Sequence, residues 1–290
     1  MTATVHSVAT LKRQRPEWGP WLAVVEEALR EAESMSWTRA VPESASASRD
    51  TPRLAGTTIP LERATVARFL ERLARIANKS GTPEMSSVGR AMDAKPDVLE
   101  LFRAAVCHDA DGVAAAAVCG ADPDAFQAVA ALLPVPFLQA CNSVWRSAIP
   151  PDWHAPFCPV CGSWPAFAEV RGIERSRFYR CSRCGGEWHS QGLSCPYCAN
   201  TDHRELVALV PEQPGAPISI EACKRCLGYV KTFNRLQPCP PLAVMVEELS
   251  GAALDVAALE HGYVRPAGAG YPLDMEVIEQ APRRSFRMNG

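Results

Sequence analysis

Eight of the twelve cysteines in this chain fall between residues 158 and 226 as four pairs of one spacing: Cys158/Cys161, Cys181/Cys184, Cys195/Cys198 and Cys223/Cys226. Two thiolates separated by two residues can reach one metal ion from a tight turn, whose amides donate toward the sulfurs and disperse their charge. One such pair says little. Four within about seventy residues indicate two four-thiolate sites. The gaps between successive pairs are nineteen, ten and twenty-four residues long. The two long gaps read as β-hairpins: 166–171 and 176–180 about the turn 172–175, then 205–210 and 218–222 about the Pro/Gly-rich loop 211–217. A hairpin brings its ends together, so pairs one and two should close on one ion and pairs three and four on another. An interleaved, RING-type cross-brace joining pair one to pair three is the rival, and it gives neither hairpin a reason to start and end at cysteines. A tetrahedral thiolate set suits Zn(II) and also mononuclear iron of the rubredoxin type. The knuckle-hairpin-knuckle pattern fits a single ion better than an iron–sulfur cluster.

Other residues near these pairs have sharper and plainer interpretations. Cys195-Pro196-Tyr197-Cys198 matches the active-site tetrapeptide of glutaredoxins, where the first cysteine caps a helix that lowers its pKa. Here turn-forming residues follow, and three more pairs surround it, so a metal knuckle is favoured over a thiol oxidoreductase. His154, His189 and His203 could replace a thiolate, but eight paired cysteines already fill two tetrahedra. Trp153, Trp164, Trp188, Phe178 and Tyr179 could stack on bases, though small ribbons need aromatics to cover their metal turns. Cys107, Cys119 and Cys141 lie in apolar helical company and Cys239 between two prolines, and none is counted as a ligand. No Ser/His/Asp set, phosphate loop or paired carboxylates stand out. Closed four-thiolate sites offer substrate no open coordination position, so the chain is expected not to be an enzyme.

The elements that would position these residues follow from periodicity. The chain of 290 residues is 47% hydrophobic and 21% charged with a formal charge of −2, which suits an ordinary globular protein and provides no global field for nucleic acid or an acidic membrane. Apolar residues recur at helical spacing from Trp18 to Ala32, and a Ser/Ala/Pro-rich stretch, 34–58, reads as a surface loop or linker. A second helix is predicted to begin at Pro60 and end near 78–81, a short one after Pro83, and further ones over 97–107, 111–120, 124–133 and 135–148. Residues 230–234 add a strand. A single helix is predicted over 242–261, followed by an irregular tail. The fold class is therefore α+β: an all-α N-terminal domain (1–150), tandem rubredoxin-like or zinc-ribbon units (151–237), and a C-terminal helix with tail (238–290). The N-terminal residues lack the apolar core of an export signal, and the longest apolar run, 128–138, is broken by Pro134 and Pro136. A cytoplasmic, reducing location is expected, in keeping with the Cys-x-x-Cys repeats.

The pattern resembles the family of the formate dehydrogenase accessory protein FdhE. The resemblance rests on FCPVCGSWP (157–165), FYRCSRCGGEWH (178–189), SCPYC (194–198), IEACKRCLGYVKTF (220–233) and the later AALDVAALEHGY (252–263). It implies a cytoplasmic maturation factor that contacts the catalytic subunit of formate dehydrogenase. It also implies two mononuclear metal ions, iron of the rubredoxin type in preference to zinc, on Cys158, Cys161, Cys181, Cys184, Cys195, Cys198, Cys223 and Cys226. Those ions would serve either as structural staples of a docking platform or as redox-active centres. The alternative reading is a zinc-ribbon nucleic-acid-binding protein.

Overall fold

The computed structural model describes residues 5–43, 48–79, 82–93, 95–116, 120–190, 192–213 and 215–281. Cys119 lies outside them. The N-terminal half is helical: α1 (Val8–Gln14), α2 (Gly19–Ala32), α3 (Arg63–Asn78), α4 (Pro83–Asp93), α5 (Val98–Cys107), α6 (Ala110–Ala116), α7 (Pro123–Leu132) and α8 (Val135–Trp145), with one short strand, β1 (Thr58–Leu61), before α3. Local chemistry sets the helix starts. The Asp97 carboxylate accepts from the Leu99 amide at 3.1 Å, and Asp122 accepts from Ala125 at 2.9 Å ahead of a proline at the first helical position. In α3, Val66, Phe69, Leu70, Leu73 and Ala77 form one buried stripe. Pro123–Ala148 is long and apolar enough to cross a membrane, yet 78% of its most apolar 18-residue window is buried within the fold, as in core helices.

Two N-terminal expectations are corrected. The stretch 34–58 is not merely a surface loop. A 3-10 turn at Trp37–Ala40 drives Trp37 into the core, stacked on Phe102 at 6.2 Å and edge-on to Phe69 at 6.1 Å. Burying an indole of that size is a large apolar gain that helps offset the entropy lost when the stretch is ordered. Pro60 lies in β1 and not at a helix start, because β1 pairs in parallel with the strand Glu276–Glu279 and α3 begins only at Arg63.

The second half is a six-stranded sheet built from β2 (Phe167–Arg171), β3 (Ser176–Arg180), β4 (Glu187–His189), β5 (Leu206–Leu209), β6 (Ile218–Cys223) and β7 (Tyr229–Arg235). Its order is β4-β3-β2-β7-β6-β5. The hairpins β2/β3 and β5/β6 form as the turn residues imply. β7 runs between them, antiparallel to β6 and parallel to β2 with Phe167 opposite Lys231. The two units are thus one continuous sheet. The main apolar cluster is also continuous, running from α2, α3, α5 and α8 to Val160, Ala168, Tyr179 and Trp188 beside the first cysteines.

After the sheet come α9 (Val244–Ser250), α10 (Ala252–Glu260) and β8 (Glu276–Glu279). The single helix predicted over 242–261 is broken at Gly251. There a Cβ would sit 2.9 Å from Cδ of Lys231, so the chain turns over a buried lysine where glycine leaves room. The tail is not wholly irregular, since β8 pairs with β1.

Between this helical roof and the sheet lies a network of buried charge. Glu169 and Glu247 are fully buried, and Arg180 and Arg235 almost so. Arg180 reaches Glu169 at 3.0 Å, while Arg235 contacts Glu169 at 3.4 Å and bonds Glu247. Lys231, with no exposed surface, donates to Glu248 at 3.1 Å and Asp255 at 2.8 Å. Ions taken out of water are tolerated only with such partners, and removing one leaves the others uncompensated. Arg235→Met should therefore lower stability by about 3 kcal/mol, read as a fall in the urea midpoint. The double change Arg235→Met with Glu247→Leu should recover part of that loss.

Candidate metal centres

Each Cys-x-x-Cys pair sits in the same turn. The amide of the first cysteine bonds the carbonyl five residues on: Cys158 to Ser163 at 2.9 Å, Cys181 to Gly186 at 3.0 Å, Cys195 to Asn200 at 2.9 Å and Cys223 to Gly228 at 2.8 Å. In the first three turns the residue four on donates back to that cysteine's carbonyl: Gly162 at 2.9 Å, Gly185 at 2.9 Å and Ala199 at 3.0 Å. The turn requires a left-handed residue at this position, where φ is 70° at Gly162 and at Gly185, 55° at Ala199 and 58° at Leu227. Glycine takes that conformation freely, and alanine and leucine do so at a cost. At Gly185 a Cβ would also lie 2.6 Å from the Pro241 carbonyl oxygen, so the second turn is wedged against the start of the C-terminal helices.

The turns bring the eight sulfurs together as two groups, Cys158/Cys161/Cys181/Cys184 and Cys195/Cys198/Cys223/Cys226, with all sulfurs of a group within 4.8 Å of one another. This is the sequential pairing and not the interleaved one. In the first group Sγ of Cys158 lies 3.4 Å from that of Cys184, and Cys161 lies 3.6 Å from Cys181. In the second, Cys195 and Cys226 are 3.5 Å apart and Cys198 and Cys223 are 3.8 Å apart. A tetrahedron with metal–sulfur bonds of about 2.3 Å has edges of about 3.8 Å, so each group fits one ion. Four thiols so close in an apolar setting cannot all ionise without a cation. Burial pushes the Cys158 and Cys184 thiols well up, while hydrogen bonds from Cys158, Cys181 and Cys184 hold Cys161 well down.

The two centres differ in surroundings. All four cysteines of the first are buried, under the helical half. The Ser163 hydroxyl lies 3.3 Å from Cys161 Sγ and 2.9 Å from Nε2 of His108, and Arg183 holds the helix-end carbonyls of Ala105 and Val106 at 2.6 and 3.0 Å. Burial, and then the charge of Arg183, push the His108 imidazole down to about 3. In the second centre Cys198 is half-buried and Cys226 exposed. The Asn200 amide lies 3.5 Å from Cys223 Sγ. Burial opposes it, but Asn200 and the amides of Cys226 and Arg225 bring the Cys223 thiol down to about 7. His108, Ser163, Arg183 and Asn200 carry no spacing signal, and only the fold brings them to the sulfurs.

The remaining sequence candidates lie elsewhere. His154, His189 and His203 are exposed and belong to neither sulfur group. Trp153, Tyr179 and Trp188 are buried in the core, Trp164 meets Tyr197 edge-on at 5.3 Å, and Phe178 lies under Arg171. Cys141 and Cys239 are buried apart from both groups, and Cys107 is half-buried at the end of α5.

Fold and sulfur geometry together define a tandem four-thiolate ribbon protein with a helical N-terminal half. No family model matches the chain. It is 31% identical over 117 residues to an FdhE homolog of Aquifex aeolicus, which covers 39% of this chain and 40% of that protein, and 30% identical over 111 residues to the FdhE protein of Escherichia coli O127:H6, which covers 38% and 35%. The matched stretches thus span well under half of those relatives. The crystal structure of the FdhE protein from Pseudomonas aeruginosa shares the fold, with a TM-score of 0.55, 23% identity, and coverage of 91% of this chain and 92% of that one. The chain is thus similar to FdhE proteins over part of its length in sequence, and to the Pseudomonas aeruginosa protein over nearly its whole length in fold.

Three outcomes follow from the geometry. With metal loaded, Ala199→Gly and Leu227→Gly should each raise stability by about 1 kcal/mol, seen as a higher denaturant midpoint. A chelator titration should strip the second centre before the first. Cys226→Ser should halve the metal content while far-UV circular dichroism persists, and Cys158→Ser should disrupt the fold.

Proposed function

We propose that the chain is a cytoplasmic accessory factor for formate dehydrogenase, which binds the enzyme's catalytic subunit through a platform held by two metal ions. The observation that carries this reading is the conjunction of two closed four-sulfur groups with the FdhE likeness in sequence and fold. Cys158, Cys161, Cys181 and Cys184 would hold one ion and Cys195, Cys198, Cys223 and Cys226 the other, with no position left for substrate. The chain then acts by binding and not by turnover. The segments 1–150, 151–237 and 238–290 serve as helical support, metal platform and roof. Iron is the preferred ion on the strength of the FdhE resemblance, with zinc the alternative on the same thiolates, and tetrathiolate iron would supply one-electron chemistry as well as structure. The near-neutral formal charge, −2 over the whole chain, speaks against the nucleic-acid reading, which needs a basic surface.

Protein purified without oxygen should contain two metal ions per chain by elemental analysis, with an iron–thiolate absorbance that bleaches reversibly on reduction. Fully active material containing only zinc would exclude a redox role. An immobilised chain should retain purified formate dehydrogenase catalytic subunit, and retention should weaken when the ions are chelated. A subunit that passes through unretained would overturn the assignment.

A further inference from the structure

The sheet ends at β5, and among the described residues nothing pairs with the outer side of that strand. Alternate residues of an antiparallel strand turn both main-chain groups toward their neighbour. The Glu205 carbonyl accepts from the Lys224 amide at 2.8 Å, so Glu205, Val207 and Leu209 face β6. That register directs the N–H and C=O of Ala208, the Leu206 carbonyl and the Val210 amide outward. Natural edges are blunted by charged residues, proline or bulges. Here 206–210 reads Leu-Val-Ala-Leu-Val, flanked by Glu205 and Pro211, and Val210 is 72% exposed. On the sheet face that carries Leu206 and Ala208, a cavity of about 330 Å³ opens beside the edge. Leu193, 72% exposed, lines its outer wall, and Cys195 and Cys223 of the second centre line its inner end. Glu221 at the rim is already held by Arg177 and by the Thr232 hydroxyl at 2.9 Å, and the lining is mostly apolar, with Ser194 and His203 its other polar side chains besides Tyr197 and Tyr229.

We propose that β5 is a docking edge for an extended apolar segment of a client polypeptide, which adds a seventh strand and seats one aliphatic side chain in the cavity beside the second sulfur group. Unpaired main-chain donors and acceptors at strand spacing are met by another strand, and a neighbouring pocket selects one of its alternate side chains. A second copy of this chain is a poorer occupant. Five residues of edge, roughly 17 Å long, cover far less than the roughly 1,200 Å² that holds a stable dimer. The inference deepens the accessory-factor reading and rests on it only for the identity of the client.

The metal-loaded chain is titrated with the fluorescein-labelled peptide Ser-Thr-Val-Leu-Val-Thr-Ser and followed by fluorescence anisotropy. Saturable binding is expected, weakened at least about tenfold by Ala208→Pro, which removes an outward N–H at an edge position where the fold tolerates proline. Ala208→Lys, which keeps the N–H but charges the edge, should weaken binding as well and serves if the proline variant loses its metal. Ile173→Lys, in the other hairpin's exposed turn, should bind like wild type. Absence of saturation up to roughly millimolar peptide, or equal binding by both Ala208 variants, would overturn the proposal. So would a dimer in sedimentation that Ala208→Pro dissolves, since the edge would then serve a second copy. In a parallel arm with purified catalytic subunit, undiminished retention by Ala208→Pro overturns the edge as the client's site. A bound peptide beside a subunit that never binds supports the edge and overturns the accessory reading.

Discussion

The architecture hangs on the pairing of β7 with both hairpins. Without it, each hairpin with its sulfur group would be a small ribbon with too little core of its own. With it, the parallel register of Phe167 to Lys231 fuses them into one six-stranded sheet. The same strand places Lys231 and Arg235 under α9 and α10, where carboxylates from the roof and from β2 partner them and the Glu248 carbonyl also accepts from Lys231. Sheet continuity and the buried charge network are two consequences of one strand's position. A balanced set of ions in a dry layer contributes little net stability, but it penalises any other register heavily.

The two sulfur groups share a turn but not an environment. The first is sealed by the helical half and tied through Ser163, His108 and Arg183 to the end of α5. The second lies at the far side of the sheet, with Cys226 open to solvent and two of its turns using alanine and leucine where glycine is easiest. The inner centre is thus enclosed by both halves of the chain, while the outer one lies near a sheet edge that no described residue pairs.

Much of this was legible in the residues. Cysteine spacing announced two four-sulfur groups, and the turn-forming stretches 172–175 and 211–217 announced the hairpins that close them in sequence. Helices with clear stripes, such as α3, were equally plain. What periodicity could not show is non-local. Residues 58–61 become a strand only because 276–279 arrives beside them, and Trp37 is in the core only because Phe69 and Phe102 leave a slot for it. The break at Gly251 depends on a lysine twenty residues earlier, since the 242–261 pattern by itself is good helix. The polar residues around the sulfurs, His108 and Arg183 above all, come from opposite halves of the chain and carry no mutual spacing.

Gly185 occupies one end of the second cysteine turn, and the Pro241 backbone lies where its side chain would have been. Not even a methyl group fits between the sulfur-bearing loop and the chain that leads into α9. The second cysteine turn and the chain entering α9 are thus in direct backbone contact, so neither can shift toward the other.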